Sequence, residues 1–531
     1  MPEKGEDALK AAVKNIIHPV FLMDIDGQIG VGNDGKVTIG EKIPPESQSY
    51  PLAAYAPPLH PENFGDPLFK RTHNLRYAYV AGAMANGITS VEMVEQMGRA
   101  GMIGFFGAGG LSPERVEDAI DRLQERMDNL PFGFNLINSP HAPELEQAVV
   151  DLYLRKGVKL VSAAAYMRLT LPLVYFRVKG IHRDAGGNII VPNKVIAKVS
   201  RVEVAQKFFS PPPKKILAQL VEKKMLTSEE AQLAESIPMA EDLTAEADSG
   251  GHTDNRPAFA LLPTMIALRN EMAQKYNYKE PLRVGLGGGI ATPESAAAAF
   301  AMGAAYILTG SVNQACIESG TSGAVRRMLS KAGQADVTMA PSADMFQMGV
   351  KVQVLKRGTM YSVRAGKLYE LYTKYDSLED IPEKDKDILK NKFFHSPFEA
   401  VWEKTADFFA IRDPKQITRA EKDPKHKMAL VFRSYLGQSS RWAISGDPER
   451  LIDSQIWCGP AIGAFNEWVK GSFLEKPENR KVTTVAMNLL FGASVSTRAN
   501  WLRAQGITLS SEAGIFSPME LSKISKILDA C

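Results

Sequence analysis

Arg283-Val-Gly-Leu-Gly-Gly-Gly289 and Ala305-Tyr-Ile-Leu-Thr-Gly310-Ser311 are two short apolar runs that end in small residues and lead into helical patterns. Each reads as a β-strand whose carboxyl end carries no side-chain bulk and feeds a helix N-terminus. Exposed backbone N–H groups there, with the positive end of the helix dipole, form an anion site. Two such ends one β-α unit apart match the phosphate site after strands 7 and 8 of a (β/α)8 barrel. Other glycine-rich motifs fit less well. A Rossmann turn needs a third glycine where Ile290 stands and an acid about 20 residues on, where this chain has Leu308, Thr309 and Gly310. A Walker loop needs Gly-Lys-Ser/Thr, which the chain lacks. The pair predicts a phosphorylated cofactor at the end of a barrel.

On either side of this pair, short apolar runs alternate with helical patterns from about residue 76, the mark of a parallel sheet. The predicted strands are Tyr77–Ala83, Met102–Phe106, Phe132–Leu136, Lys159–Ala163, Val195–Ser200, Leu243–Asp248, Arg283–Leu286 and Ala305–Thr309, eight in all. Ser112-Pro113 and Thr292-Pro293 open helices as cap and first turn. The predicted fold is α/β, a (β/α)8 TIM barrel over 76–335. Residues 208–241 interrupt the alternation and open with Pro211-Pro-Pro213; a lid beside the active face and a solvated surface helix are the two readings. Residues 1–75 read as a β-containing accessory region. In it, Phe21–Asp26 and Lys36–Ile39 flank a turn at Gly30–Gly35, and a connector rich in proline follows (Pro44, Pro45, Pro51, Pro57, Pro58, Pro61). Residues 336–531 read as a connector and C-terminal helical domain.

The 531 residues are 45% apolar and 23% charged, a globular composition with a large core. A net charge of +3 gives no case for nucleic acid. Cys316, Cys458 and Cys531 lie too far apart for a disulfide framework or a metal site and suit a reducing compartment. The polar start Met-Pro-Glu-Lys has no apolar signal segment, and no run nears the ~20 residues that span a bilayer. The expectation is a cytoplasmic enzyme without membrane contact.

Catalytic groups of barrels sit at the carboxyl ends of the strands. Strand 1 ends Ala81-Gly-Ala-Met-Ala-Asn-Gly87, small residues against which a flat ring lies close to backbone. Strand 3 ends at Asn135, whose amide both donates and accepts. Strand 5 carries Lys198 and Ser200 on one face. A lysine in an apolar strand either meets an anion at the barrel mouth or snorkels outward past a helix. Strand 6 leads into Asp248-Ser-Gly-Gly-His252, in which Gly251 allows close approach of a ligand, His252 can donate a proton and Asp248 can orient it or bind substrate. The other histidines (His18, His60, His73, His141, His182, His395, His426) share no metal spacing. Cys316 falls inside a helix, which disfavours thiol chemistry, and no carboxylate pair suggests a glycosidase.

Asp248–His252, Gly287–Gly289 and Thr309–Ser311 together resemble the nitronate monooxygenase and FabK-type enoyl reductase superfamily. The segments Gly310–Gly320, Ala340–Gly358 and Arg364–Tyr372 extend this to a resemblance to the PfaD family, the separate enoyl reductase subunit of polyunsaturated fatty acid and polyketide synthases. The resemblance spans about residues 75 to 530, including a helical tail that FabK-type enzymes lack. It implies FMN with its phosphate at Gly287, Gly288, Gly289, Gly310 and Ser311, and its ring near Ala83, Met84 and Asn135, with Lys198, Ser200 and Gly251 completing the pocket. His252 falls where the superfamily has its active-site histidine, and Asp248 where relatives often have Glu or Gln. The implied activity is NAD(P)H-dependent reduction, NADPH favoured, of the trans-2 double bond of enoyl thioesters on acyl carrier protein. Nitronate oxidation with O2 and a flavin-free scaffold within a synthase are the alternatives. The tail is expected to form a homodimer or to dock a synthase. For a basic cluster of Lys351, Lys356, Arg357, Arg364 and Lys367 two readings stand, a contact for an acidic carrier protein or the 2′-phosphate of NADPH and, for any one residue, a solvated charged face.

Overall fold

The structure, a computed structural model, describes residues 2–38, 40, 49–138 and 143–530. Ile39, Pro44, Pro45, His141 and Cys531 lie outside the described residues.

The accessory region is an antiparallel sheet of β1 (Glu3–Lys4), β2 (Val20–Ile25), β3 (Gln28–Gly32) and β4 (Leu52–Ala56), in the order β1-β3-β2-β4. The hairpin is not where the glycine-rich run placed it. β2 and β3 are joined by Asp26-Gly27, with φ of 54° and 78°, and Asp24 Oδ1 accepts from the Gly27 N–H at 2.8 Å. Two successive positive φ angles are what a two-residue hairpin needs, and Asp-Gly supplies them. Gly30 and Gly32 therefore fall within β3, and Lys36–Thr38 belong to no strand.

The barrel strands are β5 (Tyr79–Ala81), β6 (Ile103–Phe106), β7 (Gly133–Ile137) and β8 (Leu160–Ala164), followed after a small hairpin, β9 (His182–Arg183) with β10 (Ile189–Ile190), by β11 (Lys194–Val199), β12 (Asp242–Glu246), β13 (Arg283–Gly287) and β14 (Ile307–Thr309). All eight pair in parallel, and β14 closes on β5 through Ile307 opposite Tyr79. Every predicted strand is present, with each end within two residues of its expected place. Side chains alternate inward and outward along each strand. Val80, Ile103, Phe105, Ile196 and Tyr306 fill the interior, while Tyr79, Val195 and Val199 face the surrounding helices. The helix Pro67–Thr72, capped by Asp66, plugs the amino-terminal end: its Phe69 ring stacks on Tyr306 at 4.2 Å.

The 208–241 insertion forms helices Lys214–Glu222 and Ser228–Ala234. It starts where Ser210 meets Tyr276 and Met239, and it is held by Lys179 Nζ on the Met225 carbonyl and Glu230 on the Gly180 N–H. Buried Arg177 bonds the Pro238 and Asn193 carbonyls and the Glu241 carboxylate just before β12. All these groups lie at the amino-terminal end of the barrel. The lid reading therefore fails. Helix Val202–Phe209 runs back antiparallel to its strand, so anything inserted after it begins at the end away from the strand tips.

Residues 336–531 do not form one helical domain. Strands β15 (Val337–Pro341) and β16 (Lys351–Leu355) pair antiparallel, and helices from Tyr361 to Ser445 pack with them around a second core that includes Phe346, Tyr361, Phe432 and Tyr435. The chain then returns to the barrel. Helix Val482–Ala504 lies on helix Pro293–Ala301, so closely that a Cβ on Gly492 would stand 2.5 Å from Pro293. Buried Arg498 donates to the Asn15 carbonyl and, at 2.7 Å, to that of His18, tying this helix to the accessory region. Barrel, accessory sheet and last helices share one core. Among the described residues no helix is long and apolar enough to cross a membrane.

Candidate functional site

At the carboxyl ends of β13 and β14 the glycines do two jobs. Gly288 has φ +93°, and a Cβ there would stand 2.7 to 2.8 Å from the backbone of Ala247 and Asp248. Only glycine lets the two strand ends come so close. Gly289 (φ +77°) and Gly310 have no atom within 4 Å of a Cβ position, so both border open space. The N–H groups of Gly289, Gly310 and Ser311 have no hydrogen-bond partner among the described residues. Helix Pro293–Ala301, by contrast, is sealed: the Ala291 and Thr292 amides donate to Ser295 Oγ, and Thr292 caps Ser295. The free donors are thus the Gly289 loop amide and the N-terminal amides of the short helix Ser311–Gln314, not the first turn of helix Pro293–Ala301. Open backbone carrying free donors suits a phosphate, and the cradle fits the phosphorylated cofactor that the sequence predicts.

Beside this cradle stand the residues at the carboxyl ends of the neighbouring strands β11 and β12. Lys198 alternates with inward Ile196 and donates to Glu246 Oε1 at 2.6 Å, which settles its direction: it faces the barrel and does not snorkel outward. Ser249 Oγ donates to the same oxygen at 3.1 Å. Ser200 Oγ donates to Asp254 Oδ2 at 2.6 Å, and Arg201 binds both oxygens of that carboxylate at 3.0 Å. Hydrogen bonds from Arg201 and Ser200, with the charges of Arg201 and Arg256, outweigh partial burial and lower the Asp254 carboxyl to about 2. Asn135 is buried and spends Oδ1 on the Ala108 and Gly109 amides at 2.7 and 3.2 Å, which leaves Nδ2 as its free donor. Met84 is fixed by backbone, its N–H on Thr89 Oγ1 at 2.9 Å; a Cβ on Gly107 would collide with its carbonyl at 1.7 Å. Ala83 packs on the interior cluster and Met84 on the outer core.

The loop after β12 is held by a strand just over a hundred residues away. Gly251 and Gln353 of β16 exchange backbone hydrogen bonds at 3.0 and 2.7 Å. Asp248 Oδ1 accepts from Gln353 Nε2 and Asn255 Nδ2, both at 2.8 Å. Asp248 therefore fixes the loop and does not orient His252. The partner of His252 is Asp344, on the β15–β16 turn, with Nε2 and Oδ2 3.1 Å apart and the imidazole 41% exposed. Arg433 Nε supports the turn through the Ala343 carbonyl at 2.8 Å, and Ser440 meets Asn86 of the loop after β5. The helical region is thus one wall of the mouth. A second wall is the segment around Cys458: Gly459 N–H donates to Ser311 Oγ at 2.9 Å, and a Cβ on Gly250 would fall 2.6 Å from Cys458 Cα. Burial pushes the Cys458 thiol up to about 12, so this nearest cysteine is inert.

Three of the five residues of the basic cluster are taken up in ion pairs. Arg357 pairs with Asp336 at 3.3 Å, Arg364 with buried Asp453, and Lys367 with Glu370 and Asp385. Asp344, Gln353 and Glu246 are the site residues that sequence reasoning passed over. Asp344 and Gln353 lie in the motif Ala340–Gly358, and Glu246 stands two residues before Asp248 on the same face.

Residues 67–360 match the nitronate monooxygenase family, and residues 375–454 match the inserted helical domain of acyl-carrier-protein S-malonyltransferase. The chain is similar to a polyunsaturated fatty acid synthase subunit of Thraustochytrium sp., 44% identical over 91% of this chain and 32% of that protein. It is 46% identical to the polyketide biosynthesis protein PksE of Bacillus subtilis, over 82% of this chain and 56% of the relative. The chain thus spans about a third to just over half of these curated relatives. The crystal structure of the enoyl reductase domain of MlnA, from the macrolactin biosynthesis cluster of Bacillus amyloliquefaciens, superposes with a TM-score of 0.78 and 40% identity, covering 84% of this chain and 99% of that one.

Proposed function

Because the chain belongs to the nitronate monooxygenase family and, within it, to the PfaD-type enoyl reductases, we propose that it is an FMN-dependent enoyl reductase of a polyunsaturated fatty acid or polyketide synthase. Its electron donor is NAD(P)H, with NADPH favoured, and its substrate a trans-2-enoyl thioester on an acyl carrier protein. The observation that carries this reading is the open cradle of Gly289, Gly310 and Ser311 beside the Lys198–Glu246 pair, Glu246 standing opposite Gly287 where β12 pairs with β13. FMN, when bound, supplies hydride acceptance from the nicotinamide and hydride donation to the β-carbon of the enoyl group. The chain's own residues supply the rest. The backbone amides of Gly289, Gly310 and Ser311 would hold the phosphate. The Lys198 ammonium, kept in place by Glu246, would supply positive charge to stabilise the reduced form of the bound group. Asn135 Nδ2, its free donor, would be available to hold the ring. His252 gives a proton to the α-carbon; with Nε2 tied to Asp344, Nδ1 is the nitrogen left to deliver it.

Substituting His252→Ala tests the assignment. The variant is expected to purify with its flavin and to lose enoyl reduction by about 10²-fold or more; undiminished turnover overturns the role. The family match supports a second reading, O2-dependent oxidation of alkyl nitronates. Nitronate-dependent O2 uptake without thioester-dependent NADPH oxidation would favour it. A preparation free of flavin would favour a scaffold role.

A further inference from the structure

We propose that an acidic acyl carrier domain docks on one side of the barrel mouth, the side built by the connections after β8, β11 and β12, and feeds its phosphopantetheine arm into the cavity between two of them. The proposal rests on the enoyl-thioester reading above. Its evidence is a repeated pattern. Each of the three connections sets an exposed apolar side chain beside an arginine: Met167-Arg168, Arg201-Val202, and Arg256 with Phe259. Met167, Val202 and Phe259 are 52%, 41% and 73% exposed. One exposed apolar residue is ordinary, but three on neighbouring connections of one rim, each beside a cation, make a contact surface. Lys207 Nζ on the Met167 carbonyl at 2.9 Å joins the first connection to the second.

Two of the arginines on this side are uncommitted. Arg168 and Arg256 make no ion pair or side-chain hydrogen bond among the described residues, in contrast to the paired Arg357, Arg364 and Lys367. Arg168, Arg201, Lys207 and Arg256 stand against three carboxylates in the same connections, Asp254 (held by Arg201), Asp248 (held by Gln353 and Asn255) and Glu203. Complementary charge steers an acidic partner and sets its register. Between the heads of helices Val202–Phe209 and Ala258–Tyr276 lies a cavity of about 450 Å3, lined by Ser200, Arg201, Val202, Arg256, Pro257 and Leu261, with Glu203, Ala260 and Thr264 completing it. Its apolar wall suits the methylene and dimethyl groups of a pantetheine arm, and Arg256 suits the phosphodiester. Ser200 belongs both to this cavity and to the inward row of β11 that holds Lys198, so an arm lying here points its thioester at the mouth.

The same guanidinium chemistry would take the 2′-phosphate of NADPH, and kinetics on the flavin-loaded protein separate the two. The triple variant Arg168→Glu, Lys207→Glu, Arg256→Glu and the milder Phe259→Ser are compared with the unaltered protein at matched flavin content and thermal midpoint. Substrates are crotonyl thioester on a holo-carrier domain and crotonyl-pantetheine, which lacks both protein and phosphate. The triple variant is expected to raise KM for the carrier-borne thioester about tenfold or more, with kcat within about twofold. KM for crotonyl-pantetheine and for NADPH stays unchanged, and Phe259→Ser moves the same KM less. An unchanged carrier KM in both variants, or an equal rise for both thioesters, overturns the docking face. A rise confined to NADPH overturns it in favour of a nucleotide site. Failure of the unaltered protein to reduce either thioester overturns the enoyl reductase reading instead; holo-carrier binding then decides, with about tenfold weaker binding to the triple variant expected and no binding to the unaltered protein contradicting the proposal.

Discussion

The two ends of the barrel carry the same kinds of charged pair in opposite surroundings. At the amino-terminal end Asp242 is held by Arg283 at 2.6 and 2.9 Å and by His73 at 2.8 Å, with all three side chains 2 to 3% exposed beneath the helix Pro67–Thr72. At the carboxyl end Lys198–Glu246, Arg201–Asp254 and His252–Asp344 reach water. A sealed pair cannot exchange its partner without stranding a charge, so it serves the fold. A pair at the mouth can trade part of its contact for a ligand at little cost. The division matches the general split of barrels into a stability face and a functional face.

The largest expected effect breaks the sealed end. Asp242→Ala leaves Arg283 and His73 unpaired in the interior and is expected to cost about 3–5 kcal/mol, read by urea unfolding. The pH dependence has a definite sign. Burial pushes the Asp242 carboxyl up, but the hydrogen bonds and charges of His73 and Arg283 win and hold it well below the ordinary carboxylate range. A carboxyl depressed in the folded state contributes stability above its unfolded value near 3.9, and that contribution disappears as pH falls toward the folded value. Unfolding free energy should therefore drop on the acid side below about pH 4, and Asp242→Asn should flatten the drop. A loss on the alkaline side would contradict the assignment.

At the open end, Lys198→Met is expected to change stability by no more than about 1 kcal/mol, because Glu246 can turn to water, while thioester reduction falls about 10²-fold. A stability loss equal to that of Asp242→Ala would erase the contrast between the ends. The smallest effect belongs to the cradle. Gly289→Ala puts a methyl group into open space at φ +77°, costing about 1 kcal/mol in backbone strain and weakening flavin retention about tenfold. Equilibrium flavin titration checks it, and unchanged affinity would remove the phosphate from this loop.

Much of this contrast is legible in the sequence, and what is not has physical reasons. The barrel strands show because each is a short apolar run bounded by turn residues, and the open end shows because Gly287–Gly289 and Gly310 end two such runs one β-α unit apart. The accessory hairpin is misread because two turn-forming stretches compete; Asp26-Gly27 wins through its two positive φ angles. The lid reading overlooks the antiparallel course of helix Val202–Phe209, which carries the insertion to the far end. The pairing of His252 with Asp344 is hidden for a deeper reason. It depends on β16 closing on Gly251, a contact between segments about a hundred positions apart that leaves no local periodicity. Neutralisation of the basic cluster is equally non-local, since Asp336 and Asp453 come from other segments.

A flavin held at the open end of the barrel, passing hydride from a nicotinamide to an enoyl thioester, has a direct signature in the absence of oxygen. The flavin absorbance of the purified protein is bleached with one equivalent of NADPH, and crotonyl thioester on a carrier domain is then added. The absorbance is expected to return in proportion to the thioester added, with butyryl product formed. A flavin that stays bleached with the thioester and recovers only on admitting O2 would contradict this role.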